Sequence, residues 1–229
     1  AAVITFDDGC KGVFENALPI LNTLKIPSII FLNMSAVIDK KPLMSSVASY
    51  LSTYQPGFKK FAISNEICPP YHLSLTPELM KKAVNLFEIS NDDFKKVLTY
   101  QGEFASLKDL YKWQNSNYVV YGNHLFDHWN AASLTIEQLQ EEYTKNQEIL
   151  EDFPNSVNFF AFPNGMPNKC FSEIHIKTIK KIGAKKVFSA VSGVNRDSDE
   201  FLLGRFNFTD LDVSPTDYWY KLFRTIYTT

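Results

Sequence analysis

Residues able to move protons or hold a metal ion gather in three short segments. The first, Ile4-Thr5-Phe6-Asp7-Asp8-Gly9-Cys10, sets two carboxylates side by side at the end of an apolar run. The second, Gly122-Asn123-His124-Leu125-Phe126-Asp127-His128, carries two of the chain's four histidines, four residues apart. The third, Phe160-Ala161-Phe162-Pro163-Asn164-Gly165, leads an aromatic run into a Pro-Asn-Gly turn. Each alone has an ordinary explanation: Asp-Asp-Gly is turn chemistry, because Asp bonds nearby backbone and Gly accepts positive φ. Two histidines four apart can simply share a loop or helix. Taken together the segments permit more. One helical turn would point His124 and His128 to the same side. Asp8 would then complete a two-His, one-carboxylate set with open positions, suited to Zn²⁺ first and to other divalent ions carrying a water. An ion so held acidifies its water and polarises a substrate carbonyl. Asp7 remains to take the proton, since successive strand side chains diverge and do not readily share one ion.

Such a site needs a scaffold that brings three chain segments to one place. Residues 3–6 and 28–32 read as buried strands, separated by a helix on which Phe14, Leu18, Leu21 and Leu24 recur at near-helical spacing before Pro27. Residues 35–105 break this rhythm with helical patterns at 77–87 and 92–98 among loop signals such as Gln55-Pro56-Gly57, and are expected to form a helical insertion. The rhythm resumes with a helix at 106–114 and a strand at 118–121 ended by Gly122. A helix starting at Thr135 close to a capping box, a strand at 158–162, and a helix at 171–182 follow. Strands at 187–190 and 202–206 and a helix at 216–227 complete the series. Strands alternating with helices predict a parallel α/β sheet, whose carboxyl ends are where ligands bind.

Composition narrows the function classes. The 229 residues, 45% hydrophobic and 14% aromatic, suit one large domain spanning 1–229 with an ample core. A net charge of −2 with no basic stripe gives no grip on a phosphate backbone, so nucleic acid is not an expected partner. Apolar runs such as Ile29-Ile30-Phe31-Leu32 are strand-length, and no transmembrane segment is expected. Cys10, Cys68 and Cys170 are odd in number and lack paired spacing, which excludes a dense disulfide framework. The chain opens with Ala rather than Met, which suggests a trimmed or processed start, so the lack of a signal peptide decides nothing.

The three segments, in this order and each after a strand, resemble the polysaccharide deacetylases of the NodB-homology type, carbohydrate esterase family 4. TFDDG matches that family's first motif, His124 and His128 its HxxxH motif, and Pro163-Asn164-Gly165 its Pro-x-Gly motif. Ser106-Leu107-Lys108-Asp109-Leu110 and Leu134-Thr135-Ile136-Glu137-Gln138-Leu139 resemble its flanking helices. The resemblance covers most of the chain outside 35–105. It implies an incomplete, distorted (β/α) barrel, TIM-barrel-like, with the insertion between the first and second metal motifs. It also implies hydrolytic removal of acetyl from an N- or O-acetylated sugar of a glycan or envelope polysaccharide, and a cell-envelope or extracytoplasmic location. Carried over residue by residue, Asp7 becomes the general base; Asp8, His124 and His128 become the metal ligands; and the backbone N–H of Asn164 helps hold the oxyanion. Pro163 and Gly165 shape that loop against the substrate, and Trp129 is expected near a sugar ring.

Two departures from the family pattern stand out. Where many members carry an Arg in the third motif this chain has Ala161, and Arg205 in Leu203-Gly204-Arg205-Phe206 is expected to pair with Asp7 instead, with a fork that Lys replaces poorly. The late His that many members use as general acid has no counterpart after His175, which falls on an amphipathic helix. The acid then comes from an absent N-terminal segment, from the insertion, where His72 is available, or from water. This loss motivates one alternative, a catalytically impaired carbohydrate-binding module. The metal set itself motivates another, a non-haem iron oxygenase.

Overall fold

The computed structural model describes residues 2–196, 200–208 and 214–228. Six strands follow one another in space as in sequence: β1 (Ile4–Phe6), β2 (Ser28–Leu32), β3 (Val119–Asn123), β4 (Ser156–Ala161), β5 (Lys186–Phe188) and β6 (Leu202–Leu203). Every neighbouring pair is parallel. Sequential order with helical crossovers curls the sheet into part of a (β/α) barrel, as expected from the alternating pattern.

β2 explains the layering. All five of its residues are buried, and strand alternation sends them to two cores. Ile30 and Leu32 pack outward with Phe14, Leu18 of α1 (Leu18–Thr23), Tyr121 and Val119. Ile29 and Phe31 face the inside of the curl with Ala161 and Phe188. Gly122 is expected as a strand terminator, yet lies within β3. A Cβ there would stand 2.7 Å from the Phe31 ring and 3.1 Å from the Phe159 carbonyl, so Gly122 makes room for Phe31.

Between β2 and β3 the chain builds α2 (Met34–Asp39), α3 (Met44–Tyr54), α4 (Phe58–Ser64), α5 (Pro77–Leu86), α6 (Asn91–Gln101) and α7 (Leu107–Trp113). Val47, Leu51, Phe58 and Met80 of this helical segment share one buried cluster with Leu134, Phe160 and Phe162 from the sheet side. α8 (Ile136–Leu150), α9 (Glu173–Lys181) and α10 (Pro215–Thr228) complete the chain, and Thr135 caps α8 reciprocally with Gln138. Among the described residues no helix is long and apolar enough to cross a membrane.

Candidate metal centre

Three loops at the carboxyl edge of the sheet meet. After β1, Asp8 and Gly9 both take positive φ, 68° and 77°. A side chain on Gly9 would stand 2.7 Å from Leu32 Cδ2, so the tight turn excludes it. The loop is pinned from outside: Ala105 N–H donates to Gly9 O, Lys11 N–H donates to Glu103 O, and Cys10 pairs with Phe104 in an isolated bridge. The Asp-Asp-Gly segment is therefore a turn and a site at once.

The expected helical turn at His124–His128 is not what unites the histidines. They lie on a loop with positive φ at Leu125 (62°) and His128 (57°). A buried amide network holds that path. Asn33, at the end of β2, donates to the carbonyls of His124 and Leu125. Asn123 accepts from Leu125 N–H at 3.0 Å and from Asn146 Nδ2 at 2.9 Å, while Asn146 also bonds Leu32 O and Met34 N–H. Ser35 Oγ donates to Phe126 O at 2.6 Å. Asn123 lies in the second segment, but Asn33, Ser35 and Asn146 lie outside all three. Asn146 alone left a signal, a polar residue in line with Leu139, Tyr143 and Leu150 on the buried face of α8.

Asp8 Oδ1 lies 3.2 Å from His128 Nε2 and 3.4 Å from His124 Nε2. Ligands bonded to Zn²⁺ at roughly 2.0–2.2 Å stand about 3.3–3.6 Å apart on a tetrahedron, so the spacing is close to that of a shared ion. Asp8 Oδ1 is buried without a hydrogen-bond partner of good geometry, as an atom meant for a cation would be. His124 Nδ1 is 2.7 Å from Ala161 O; donation there leaves the Nε2 lone pair free to ligate. Burial would raise the Asp8 pKa, but His128 and His124 outweigh it and hold the carboxyl well below the usual range. Burial likewise opposes charging of His124, and the Asp7 and Asp8 carboxylates overcome it to raise its pKa. The cluster is a place that favours positive charge.

Asp7 stands apart from this cluster, its Oδ2 3.9 Å from His124 Nε2. Arg205, just beyond β6, forks onto it with Nη1 to Oδ1 at 2.6 Å and Nη2 to Oδ2 at 2.9 Å. Nη1 also reaches Thr5 Oγ1 at 3.3 Å, Nε donates to Ser189 O at 3.2 Å, and the guanidinium lies 5.5 Å from the Phe31 ring centroid. The first and last strands, unpaired by backbone, are thus joined by a side chain.

The third loop turns at Asn164 (φ 62°) and Gly165 (φ 61°), where a Cβ on Gly165 would meet Ala190 N at 2.8 Å. Asn164 lines the same open pocket of about 380 Å³ as the two aspartates and two histidines, and Pro163 beside it is buried. Trp129, expected near a sugar ring, is only 8% exposed, belongs to the buried cluster of Leu51, Phe58 and Phe162, and is not among the residues lining the pocket. His175 caps α9 through Ser172, whose N–H donates to its Nδ1. His72, from the insertion, does line the pocket together with Ser45, Ser46 and Ser49. Burial and then His128 push its pKa down.

A curled parallel sheet with an aspartate and two histidines at its carboxyl edge defines the class, an incomplete (β/α) barrel able to hold one metal ion. The family description "polysaccharide deacetylase" matches residues 1–187, and the chain belongs to that family. Solved structures of similar fold include IcaB from Ammonifex degensii (18% identity, TM-score 0.58, covering 96% of this chain and 72% of that one). The Streptococcus pyogenes deacetylase PplD, in complex with acetate, matches with 11% identity and a TM-score of 0.58, covering 95% and 68%. A de-N-acetylase from Aggregatibacter actinomycetemcomitans has 13% identity and a TM-score of 0.55, covering 96% and 74%. No curated protein sequence matches the chain.

Proposed function

We propose that the protein is a metal-dependent carbohydrate deacetylase, a single domain in which Asp7 is the general base and Asp8, His124 and His128 hold one divalent ion, Zn²⁺ by first choice. The observation that carries this reading is the division of labour between adjacent carboxylates. Asp8 Oδ1 faces two imidazoles and has no hydrogen-bond partner of good geometry among the described residues, whereas both oxygens of Asp7 are taken by the Arg205 fork. A bidentate guanidinium occupies one lone pair on each oxygen and fixes the carboxylate plane, leaving the remaining lone pairs to accept a proton. When bound, the ion would supply an acidified water and a Lewis acid for the acyl oxygen.

The chain's own groups supply the rest. Asp7 takes the proton of the attacking water. Pro163 has no N–H, so the Asn164 N–H is the first backbone donor of its turn, and it points to no protein acceptor among the described residues; it is suited to hold the developing oxyanion. Gly165 is the only residue type its turn admits, which keeps that donor in place. Of the sources of a general acid left open by the sequence, His72 is the one at the pocket, and we assign it protonation of the leaving nitrogen. The substrate is an N- or O-acetylated sugar of a glycan, and the location is extracytoplasmic or in the cell envelope. Family membership speaks against the oxygenase reading.

The test is acetate release by metal-reconstituted protein from acetylated glucosamine oligomers and acetylated xylan, beside Asp7→Asn. Release that disappears in the variant is the expected result. Metal binding with no release across a wide glycan panel would overturn hydrolysis in favour of a carbohydrate-binding module.

A further inference from the structure

The metal pocket does not end at its rim. Ser46 and Ser49 of α3 line it and also line a second groove of about 310 Å³, bounded by further residues of α3 and by α6. Tyr50, Tyr54 and Tyr100 are its aromatic lining. Tyr50 and Tyr54, one helical turn apart, have ring centroids 5.1 Å from each other, and Tyr54 and Tyr100 are 6.1 Å apart with their hydroxyls hydrogen-bonded at 2.9 Å. Tyr50 is fixed by donating to Asp93 Oδ1 at 2.9 Å. Buried Val97 closes the floor.

Two properties of this surface select its occupant. No charged side chain lines it, so it holds no charge-complementary feature for an anion or a cation. Yet Tyr54 is 51% and Tyr100 75% exposed, a pair of large aromatic faces turned to solvent beside a row of hydroxyls. Flat apolar faces edged by hydrogen-bonding groups match a neutral sugar ring, which has an apolar face and a hydroxyl rim. The groove shares Ser46 and Ser49 with the metal pocket, so a chain lying in it is held directly beside the reacting centre.

We propose that this groove is a substrate subsite that takes the neutral sugar units flanking the one whose acetyl group lies at Asp7 and Asp8. The protein then acts on an oligomeric glycan in preference to a free monosaccharide. This inference rests on the deacetylase reading, and the groove belongs to helices inserted between β2 and β3, outside the three motifs.

The experiment compares native protein, Tyr54→Ala/Tyr100→Ala and Tyr54→Phe/Tyr100→Phe on N-acetylglucosamine and on its β-1,4- and β-1,6-linked pentamers. Each ring is worth about tenfold in affinity. The native kcat/KM should therefore favour one pentamer over the monomer by at least about tenfold. The Ala pair should raise the pentamer KM by about tenfold to a hundredfold with kcat near native, and leave monomer kinetics within about twofold. The Phe pair should keep the pentamer KM. A native protein with no pentamer preference, or an Ala pair that weakens monomer and pentamer alike or neither, overturns the subsite. Calorimetric titration of the pentamers into metal-reconstituted Asp7→Asn reads binding without turnover. If no acetate is released from any sugar but this variant binds a pentamer and loses it with the Ala pair, the deacetylase reading fails and the groove stands. If it binds no pentamer, the groove fails.

Discussion

Replacing Arg205 with Lys separates geometry from charge at Asp7. The native guanidinium makes two bonds to Asp7, one to Thr5 Oγ1 and one to Ser189 O. A lysine ammonium on a flexible stem can keep one bond to Asp7 and lacks the planar fork. Three contacts are then lost or loosened. Bonds to charged groups contribute roughly 1.5–3 kcal/mol each when well buried. Arg205 is 11% exposed but Asp7 is 32% exposed, so solvent screens the pair and the lower end applies. A net loss of about 2 kcal/mol in stability follows for Arg205→Lys, about half of what the bond count alone would suggest. Loss of a fixed carboxylate plane should lower kcat about 30- to 100-fold, because misplacement of a reacting group by about 1 Å has that effect. Metal affinity should stay within a few-fold, since none of the three ligands touches the guanidinium. Urea unfolding, acetate release at saturating metal and a metal titration measure the three quantities separately. A variant with the stability loss but native kcat would refute the reasoning, because Arg205 would then hold the sheet together without orienting the base.

Three further outcomes are expected. Saturating Zn²⁺ at about one hundred times its Kd should stabilise the protein by about 2.7 kcal/mol, and Asp8→Ala should abolish the gain; a melting temperature indifferent to Zn²⁺ in the native protein would exclude the metal centre. His72→Gln should lower kcat about a hundredfold on an N-acetyl sugar and only slightly on an aryl acetate, whose leaving group needs no proton, and equal losses on both would remove His72 as the acid. Burial first, and then Asp127, raises the Glu142 pKa to about 7. A carboxyl raised in the folded state weighs against folding as pH climbs from its unfolded value near 4.5 through 7. Glu142→Gln should therefore gain up to about 3 kcal/mol over native at pH 8 and nothing at pH 4, and a gain independent of pH would contradict the assignment.

The parts of the fold carried by local pattern were readable from the sequence. The run Ser28-Ile29-Ile30-Phe31-Leu32 is β2, and Thr135 caps α8 as its spacing suggests. Arg205 was also expected opposite Asp7, from the family resemblance and the Ala161 in the third motif, and its fork is there. What escaped depends on contacts between distant residues. The convergence of His124 and His128 is made by left-handed residues and by Asn33, 91 positions earlier, and neither leaves a periodicity. Trp129 follows the second motif directly, yet it is buried in the same cluster as residues of α3 and α4, which adjacency in sequence could not disclose. The tyrosine groove needed α3 and α6 side by side, and Tyr54 and Tyr100 lie 46 positions apart. The last strand reads as five residues but pairs over only Leu202 and Leu203. Gly204 follows, where a Cβ would stand 2.7 Å from Val191 O.

The clasp of Arg205 on Asp7 spans 198 positions of chain, and this sets an order of events during synthesis. A ribosome adds roughly 5–20 residues per second, so the stretch from His128 to Arg205 takes roughly 4–15 s to make. During that interval Asp8, His124 and His128 already exist, while Asp7 lacks its fork. Contacts this distant in sequence close slowly. In the proposed reading, the residues that would hold the ion are therefore made before the group that aligns the proton acceptor, and that alignment waits for the sixth strand.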